Sequence, residues 1–461
     1  MLGLGLGLLL LPALGWVALW GASAWVGRTP AELLAFAKQA ALEYPMLSPA
    51  LAPVLEATGQ LFAADAAGGV TLPFTIPMLT PNPGRQSSAV SLVPGTLPGV
   101  PIAQRIQVGP SRAVKTVAAA AALAKDGNII EIDPGDYLAD VAVWQQSNIT
   151  IRSTGPRVRL IAKGANAEGK AIWVVRGGKM TVEGIDFIGS RVADNNGAGI
   201  RFERGHLVLR RCLFFGNQNG ILASPNPESV LEVENSEFGY NGTGDGQTHH
   251  LYANQIKLLK VSGSWFHHAN VGHLIKSRAI ASVIAYNRLT DETGGRASYE
   301  LEFPNGGAAV VIGNIIQQGS QTSNSVMVSY GAEGYSKNIN RLQLAHNTLV
   351  NDHPHGGTFV RAAPGAELVL MLDNLLVGRG RRDLPDDAVV QRNSHLDWSA
   401  FVQAAREDYR LAPVTRAAMT PLPVAEIDDE LLPRFEYRHP AGLVPLYGAT
   451  RYAGALQSTA P

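Results

Sequence analysis

The chain has 461 residues, more than one ordinary globular domain uses, and its 38 acidic residues balance its 38 basic ones. A net charge of zero provides no bulk electrostatic attraction to nucleic acid or to an anionic membrane surface. The single cysteine, Cys212, excludes an internal disulfide, and we expect it to be a buried, unreactive thiol.

The chain begins with an apolar run. Residues 2–26 are nearly free of charge and end in Ala22-Ser23-Ala24, which is typical of a signal-peptidase site. The run is also long enough to span a bilayer, and no lysine or arginine precedes it. The sequence therefore predicts export to the periplasm or the extracellular space, with residues 1–26 acting as a cleaved signal peptide or as a membrane anchor.

The next hundred residues divide into segments of different composition. Residues 27–62 predict a helical segment that begins at the capping sequence Thr29-Pro30-Ala31-Glu32. Residues 63–104 are rich in glycine, proline, serine and threonine, which is typical of an extended linker or strap. The stretch from Ser111 to Lys125 predicts another helix, which we expect to cover the open end of the first coil of a repeat structure.

A short motif with alternating apolar residues recurs eight times between residues 182 and 376. The copies read VEGIDF, LRRCLF, VENSEF, VSGSWF, IAYNRL, VIGNII, LAHNTL and MLDNLL, and their last residues follow one another at an average interval of about 27. Such a period, with two or three short apolar runs per repeat, indicates a solenoid of β-strands. The last four copies predict an internal hydrogen-bonded ladder of Asn287, Asn314, Asn347 and Asn374.

The repeat and the helix before it resemble the right-handed parallel β-helix of the pectate-lyase-like superfamily. The resemblance covers roughly residues 105–380. It implies an all-β fold, a right-handed parallel β-helix solenoid with an N-terminal capping helix. After Arg379 the pattern fades, so residues 381–461 are expected to form a C-terminal cap or strap.

Ionisable side chains concentrate between Thr248 and Gly307, where three consecutive coils read HLYAN, HLIKSRA and SYELEF. Side chains alternate between the two faces of a strand, so apolar residues that point inward leave the intervening residues outside. The alternation predicts that the following residues point outward together: His250, Tyr252, Asn254, Lys276, Arg278, Glu300 and Glu302.

These groups suit the removal of a proton beside a carboxylate. β-Elimination from a uronic acid needs a base for the C5 proton, a cation for the carboxylate and an acid for the leaving oxygen, and C5 epimerisation begins with the same proton transfer. Lys276 is the predicted base, Arg278 the partner of the carboxylate, and Tyr252 or a histidine the acid. The predicted catalytic residues are Lys276, Arg278, His250, Tyr252, Glu300 and Glu302, and the predicted substrate-binding residues are His249, His273, Asn254, Tyr299, Asn305, Tyr330 and Glu333.

One segment resembles a more specific group of parallel β-helix enzymes. GHLIKSRAIASVIAYNRL resembles the two-strand segment of the alginate lyase and chondroitinase B type, in which an Ile-x-Val-Lys-Ser strand carries the catalytic lysine. The resemblance implies that Lys276 is the base. The chain departs from that pattern at Glu302, where those lyases have an arginine, and at Ala269 and Val271, where paired glutamates hold calcium. Calcium is thus a candidate cofactor only through the resemblance, and the residues themselves predict no metal site.

The sequence predicts an exported enzyme that acts on an acidic polysaccharide as a lyase or a C5 epimerase. Two alternatives stay open. Glu300 and Glu302 could be the acid and base of a glycoside hydrolase of the same fold. The same surface could also bind glycan at the cell envelope without catalysis, since outward lysines are often only solvated surface charges. The expected partner is an acidic polysaccharide and not a nucleic acid, with membrane attachment through the N-terminal segment as an option.

Overall fold

Successive short strands of this chain pair in parallel with strands one coil away rather than with their neighbours in sequence. The computed structural model describes residues 104–423, 427–447 and 451–458. There the strands form three large parallel sheets of twelve, eleven and ten strands, and the chain visits the sheets in turn. About ten such coils make a right-handed parallel β-helix, which confirms the all-β solenoid predicted from the repeat.

The twelve strands of the first sheet follow the order of the chain. They are Arg105–Val108, Ile129–Ile132, Ile149–Ser153, Lys179–Glu183, His206–Arg210, Asn226–Glu234, Ile256–Ser262, Ala281–Ala285, Ala308–Ile312, Arg341–Ala345, Leu368–Leu372 and Val389–Gln391. The eleven strands of the second sheet are Gly135–Leu138, Val158–Ile161, Ile185–Ile188, Leu213–Phe215, Glu237–Gly239, Trp265–His267, Arg288–Thr290, Ile315–Gln318, Thr348–Asn351, Leu375–Gly378 and Ser394–Leu396.

The third sheet, which carries the candidate site, has ten strands in the same order. They are Ala142–Trp144, Ala171–Val175, Ala198–Phe202, Asn219–Ala223, Leu251–Ala253, His273–Ser277, Tyr299–Phe303, Val326–Tyr330, Gly357–Ala362 and Gly380–Asp383. Apolar side chains from all three sheets fill one continuous core.

The interior of the β-helix is stacked coil upon coil. Phe187, Phe214, Phe238 and Phe266 lie in register on the second sheet, with neighbouring ring centroids 5.0, 4.6 and 4.3 Å apart. Each ring packs its face against the next, and this stack stabilises the parallel pairing of the coils.

The predicted asparagine ladder is present and buried. The Nδ2 amide of Asn287 donates to Oδ1 of Asn314 at 3.0 Å, and the same contact at the same distance joins Asn314 to Asn347 and Asn347 to Asn374. Each of these oxygens also accepts the backbone N–H of the preceding asparagine. The amides are thus satisfied from coil to coil. Cys212 holds the equivalent position in an earlier coil and is buried as predicted.

A short helix lies between the first two strands of the first sheet. It spans Val117–Leu123, less than the whole predicted stretch, and begins after the N-cap residue Thr116. The Asp140 carboxylate accepts the N–H groups of Val117 and Ala118 at 2.6 and 2.9 Å, which satisfies donors that a helix leaves free at its start. Within the described ranges, no helix is both long and apolar enough to cross a membrane.

The coils continue past residue 380 to Leu396. The last three strands are mostly exposed, so they lack the apolar alternation that marks buried strands in the sequence. They are followed by the 3₁₀ turns Trp398–Ala400 and Ala404–Arg406, the helix Pro413–Ala418 and two antiparallel strand pairs, Phe401–Gln403 with Asp408–Leu411 and Phe435–Tyr437 with Leu443–Pro445.

The described residues after Asp397, which we call the C-terminal segment, pack on the outside of the β-helix. Phe401 and Tyr409 share an apolar cluster with Val350 of the second sheet. Ile427 shares another cluster with Ile312 of the first sheet. The predictions made for residues 1–103, including the signal peptide or anchor, lie outside the described residues.

Candidate functional site

The outer face of the third sheet carries a column of side chains from consecutive coils. The register pairs Leu222 with Tyr252, Tyr252 with Lys276, and Lys276 with Glu302. Neighbouring strands lie about 4.8 Å apart, so these side chains stand beside one another along the axis of the β-helix. The structure thereby brings Tyr252, Lys276 and Glu302 together.

Lys276 and Glu302 form an ion pair that is largely closed to solvent. Nζ of Lys276 lies 3.0 Å from Oε2 of Glu302 and 4.0 Å from Oε1 of Glu333. Burial opposes the ionisation of Glu302, but its contacts with His273 and Lys276 outweigh burial, and the pKa of Glu302 lies below its usual value. Glu302 is therefore a carboxylate at neutral pH.

A row of aromatic rings borders this column. The ring centroids of His249 and His273 are 4.4 Å apart, and those of His273 and Tyr299 are 4.9 Å apart. Nε2 of His273 lies 2.9 Å from Oε2 of Glu302, and its Nδ1 lies 3.0 Å from Nδ1 of His249. Burial lowers the pKa of His273 and lowers that of His249 well below its usual value, so both imidazoles are neutral.

Arg278 joins this column to the next coil. Its Nε donates to the Tyr252 hydroxyl oxygen at 2.9 Å, and its two Nη groups donate to the Glu333 carboxylate at 2.6 and 2.8 Å. Asn305 accepts a further hydrogen bond from Nη1. The hydrogen bond with Arg278 holds the pKa of Glu333 below its usual value. We call the following residues the outer-face cluster: Tyr252, His273, Lys276, Arg278, Glu302 and Glu333.

The prediction that His250 and Glu300 point outward is wrong, because both are buried inside the β-helix. Where the chain turns from the second sheet into the third, two consecutive residues of a coil point inward, as Leu274 and Ile275 do. The register places His250 and Glu300 beside Leu274. Strict alternation therefore fails by one residue at this corner.

The interior position gives His250 a structural role. Its Nδ1 accepts a hydrogen bond from the Asn241 amide at 2.8 Å, and its Nε2 donates to the carbonyl oxygen of His267 at 2.9 Å. Burial lowers the pKa of His250 to about 3, so the imidazole stays neutral. It is enclosed and hydrogen-bonded on both ring nitrogens, which leaves no atom for a substrate.

Glu300 and Tyr330 are also enclosed. Neither carboxylate oxygen of Glu300 has a hydrogen-bond partner in the described part of the chain, and burial raises its pKa well above the usual value. The Tyr330 hydroxyl donates to the carbonyl oxygen of Gly307 at 2.7 Å inside the β-helix. The structure thus places Tyr330, a predicted substrate-binding residue, inside the β-helix and away from the outer face of the third sheet. Asn254 is half-buried, and its Oδ1 accepts the N–H of Gln255 at 2.8 Å.

The carboxylates of the outer-face cluster do not fit calcium. Glu302 and Glu333 each contact a cation of the protein itself, whereas Ca²⁺ takes about six to eight oxygen ligands. Among residues 104–423, 427–447 and 451–458, no three His, Cys, Asp or Glu side chains are arranged to hold a metal ion.

Sequence reasoning missed two residues of the same column, Arg201 and Leu222. They continue it toward the N-terminal end, because Arg201 pairs with Leu222 and Leu222 pairs with Tyr252. Extending the register of HLYAN back by two coils could have found them. The concentration of ionisable residues could not, because it begins only at Thr248.

No protein-family model and no curated protein matches the sequence. Among solved structures, the chain is similar to the crystal structure of pectate lyase Pel9A, with 12% sequence identity and a TM-score of 0.42, covering 77% of this chain and 97% of that one. It is also similar to Geobacillus virus E2 ORF18, with 12% identity and a TM-score of 0.36 over 59% of this chain and 53% of that one. The Dettilon tailspike protein gp208 shows 11% identity and a TM-score of 0.30, over 62% and 68%. The likeness concerns the fold, and the chemistry of the outer-face cluster rests on its own contacts.

Proposed function

We propose that the outer-face cluster binds an acidic polysaccharide and removes the C5 proton of a uronate residue, in a β-elimination or a C5 epimerisation. One observation supports this most. Tyr252 and Lys276 are register partners on adjacent strands, and Arg278 donates to the Tyr252 hydroxyl oxygen at 2.9 Å. A proton acceptor, a proton donor and a guanidinium therefore lie within reach of one sugar residue.

Lys276 is the base in this proposal. It reacts as the free amine, after its ammonium proton has passed to solvent, and its Nζ lies 3.0 Å from Oε2 of the Glu302 carboxylate. The amine takes the C5 proton, the electron pair forms the C4–C5 double bond, and the C4–O bond breaks. The leaving oxygen takes the proton of the Tyr252 hydroxyl. In an epimerisation, C5 is instead reprotonated from the opposite face.

Arg278 neutralises the uronate carboxylate. Its two Nη groups bind the Glu333 carboxylate side by side, and a substrate carboxylate has the geometry to replace it. His273 lies 2.9 Å from the Glu302 oxygen that also faces Lys276, and so orients that carboxylate.

The test is turnover of pectate, alginate and glycosaminoglycans. Elimination produces an unsaturated sugar end that absorbs ultraviolet light, and epimerisation produces exchange of solvent protons at C5. Lys276→Ala should lower either rate by about a hundredfold or more. Lys260→Ala is the matched control, because Lys260 is a partly exposed lysine of the first sheet. An active Lys276→Ala protein would exclude Lys276 as the base, and the absence of product from every polymer would exclude the enzymatic proposal.

A glycan-binding protein without catalysis is the second candidate. The observation in its favour is that both cations of the outer-face cluster already have carboxylate partners, Lys276 with Glu302 and Arg278 with Glu333. Salt-dependent binding of the same polymers, with neither elimination nor proton exchange, would favour this candidate over the enzyme.

Export is part of the proposal, because the proposed substrates are cell-envelope or extracellular polymers. It rests on the apolar sequence of residues 2–26. Cell fractionation tests it, and recovery of the full-length protein from the soluble cytoplasm would contradict it.

A further inference from the structure

Arg201 is a cation of the same outward column that lacks a carboxylate partner among the described residues. It lies on Ala198–Phe202 and is flanked in register by Val174 and Leu222. Its Nε is buried without a hydrogen-bond partner, and no ion pair joins Arg201 to a carboxylate in the described part of the chain. Burial accordingly lowers the pKa of Arg201 from its usual value.

The carboxylates nearest to Arg201 are engaged elsewhere. Glu203 and Asp194 are the two acids whose charge reaches Arg201. Oε1 of Glu203 binds Nζ of Lys170 at 2.7 Å, and Oδ1 of Asp194 accepts the N–H of Asn196 at 3.1 Å. Neither acid neutralises the guanidinium directly.

Other cations of this column are paired. Lys276 lies 3.0 Å from Glu302, and Nε of Arg361 lies 2.8 Å from Asp383. Half-burying a cation without a partner costs solvation free energy, and an anionic ligand would recover that free energy. Lys276 and Arg361 thus have carboxylate partners within the protein, whereas the guanidinium of Arg201 is available to an anionic ligand.

An apolar surface connects Arg201 to the outer-face cluster. Leu222 and Val174 belong to one apolar group on the outside of the third sheet, and Tyr252 packs against it. The apolar face of a sugar ring can lie on such a floor while its charged group reaches a cation. Arg201 and Lys276 are three strands apart in register, a span of roughly 14 Å at about 4.8 Å per strand.

We infer that Arg201 binds a second anionic group of the same polysaccharide chain, with the intervening sugar lying over Leu222 and Tyr252. The chain would thus extend along the axis of the β-helix, from the outer-face cluster toward its N-terminal end. The inference rests on the proposed function for the identity of the ligand as an acidic polysaccharide.

The test is a binding series with oligogalacturonates, oligoalginates and heparin-derived oligosaccharides, from disaccharides to octasaccharides. Calorimetry is done with the full chain in the Lys276→Ala background, so that turnover does not interfere. Adding Arg201→Ala should weaken binding of the long oligomers by about tenfold, because a charge-assisted hydrogen bond is lost. Disaccharides that reach only the outer-face cluster should bind unchanged, and Arg201→Lys should restore part of the loss.

Arg210→Ala is the matched control, since Arg210 is an exposed arginine of the first sheet that pairs with Glu234 at 2.8 Å. Circular dichroism and Tm verify the fold of each variant. A loss confined to long oligomers supports the inference. Equal affinities with and without Arg201 would overturn it, and so would a failure of the whole series to bind. The proposed function fails separately, when the chain with Lys276 restored gives no product although Arg201-dependent binding is intact.

Discussion

The carboxylate of Glu333 occupies both Nη groups of Arg278, at 2.6 and 2.8 Å. A uronate carboxylate has the same planar shape and charge, so in the proposed function a substrate carboxylate would take the place that Glu333 holds. The pair lies across two coils, because Arg278 directly follows one strand of the third sheet and Glu333 follows a strand two coils later. Glu333 is 47% exposed in its side chain, and therefore can leave Arg278 without disturbing the core.

Glu333→Gln should tighten the binding of acidic oligosaccharides. The amide carries no charge, so a uronate no longer competes with a resident carboxylate for Arg278. An exposed ion pair is worth at most about 1 kcal/mol, so the gain in affinity should be no more than about fivefold. Calorimetry at low and high salt measures it. Glu367→Gln, which removes an exposed partner of Arg341 on the first sheet, should have no effect. Weaker binding by Glu333→Gln would mean that Glu333 contacts the ligand favourably.

Asn314→Leu should destabilise the protein by about 1–3 kcal/mol, because it leaves neighbouring buried amides without partners. Asn314 donates to Asn347 at 3.0 Å and to the carbonyl oxygen of Ile284 at 2.8 Å. Chemical denaturation measures the change. Asn393→Leu at the less buried end of the ladder is the control and should cost less. Equal costs would show that burial of the ladder does not set its contribution.

Glu300→Gln should stabilise the protein increasingly as the pH rises. The folded-state pKa of Glu300 is raised well above its usual value, so the stability of the wild type is full below the unfolded-state pKa and is lost as the pH rises toward the folded-state pKa. Glutamine does not ionise. Its advantage should grow by about 1.4 kcal/mol per pH unit above about pH 5.

Urea denaturation of Glu300→Gln and the wild type at several pH values checks this dependence. Glu228→Gln at an exposed position serves as the control and should show no such trend. A difference between Glu300→Gln and the wild type that does not change with pH would mean that Glu300 is ionised in the folded protein.

Cys212 should not react with alkylating reagents in the native protein. Its thiol is buried, and burial raises its pKa to about 12, so the nucleophilic thiolate is scarce as well as inaccessible. Mass spectrometry should find no label on the folded chain at about pH 8 and full label after denaturation. Rapid labelling of the native chain would contradict the interior register of the whole motif.

The fold is readable from the sequence where one residue type recurs at one interior position. Phe187 and Phe214 end two copies of the motif, and the structure stacks their rings 5.0 Å apart. The motif predicts the asparagine ladder only as far as Asn374. In the structure the ladder continues, because Nδ2 of Asn374 donates to Oδ1 of Asn393 at 2.7 Å. The spacing there shortens to 19 residues, and the last strands are exposed. Coils that enclose no apolar core therefore lose both the repeat period and the alternation of apolar residues, and these are the two signals by which the sequence predicts a coil.

The side-chain directions at the candidate site were harder to predict from the sequence. The two-residue period of a strand does not account for the turns between strands, where the inward and outward alternation is broken. The positions in register with His250 in the two preceding coils are Gly199 and Gly220. A Cβ at Gly220 would come 2.9 Å from Cδ1 of Phe238, which shows that this position faces the core. Glycines there, and consecutive apolar residues such as Leu274 and Ile275, are the signals that place His250 and Glu300 inside. The ion pairs of Arg278 and Lys276 depend on distances between coils, which the sequence does not contain.

The C-terminal segment affects how the β-helix is expected to unfold. Coils of a solenoid contact mainly their neighbours, so such a protein can fray one coil at a time from an end. Here Arg434 donates its N–H to the Tyr286 hydroxyl at 3.0 Å, Ala455 donates to the Thr348 hydroxyl at 3.0 Å, and Gly454 donates to the carbonyl oxygen of Asp373 at 2.9 Å. The C-terminal segment thus bonds to coils that lie up to three coils apart. Fraying from the C-terminal end must break these bonds before the last coil can open. The C-terminal half is therefore built to unfold as a single cooperative unit.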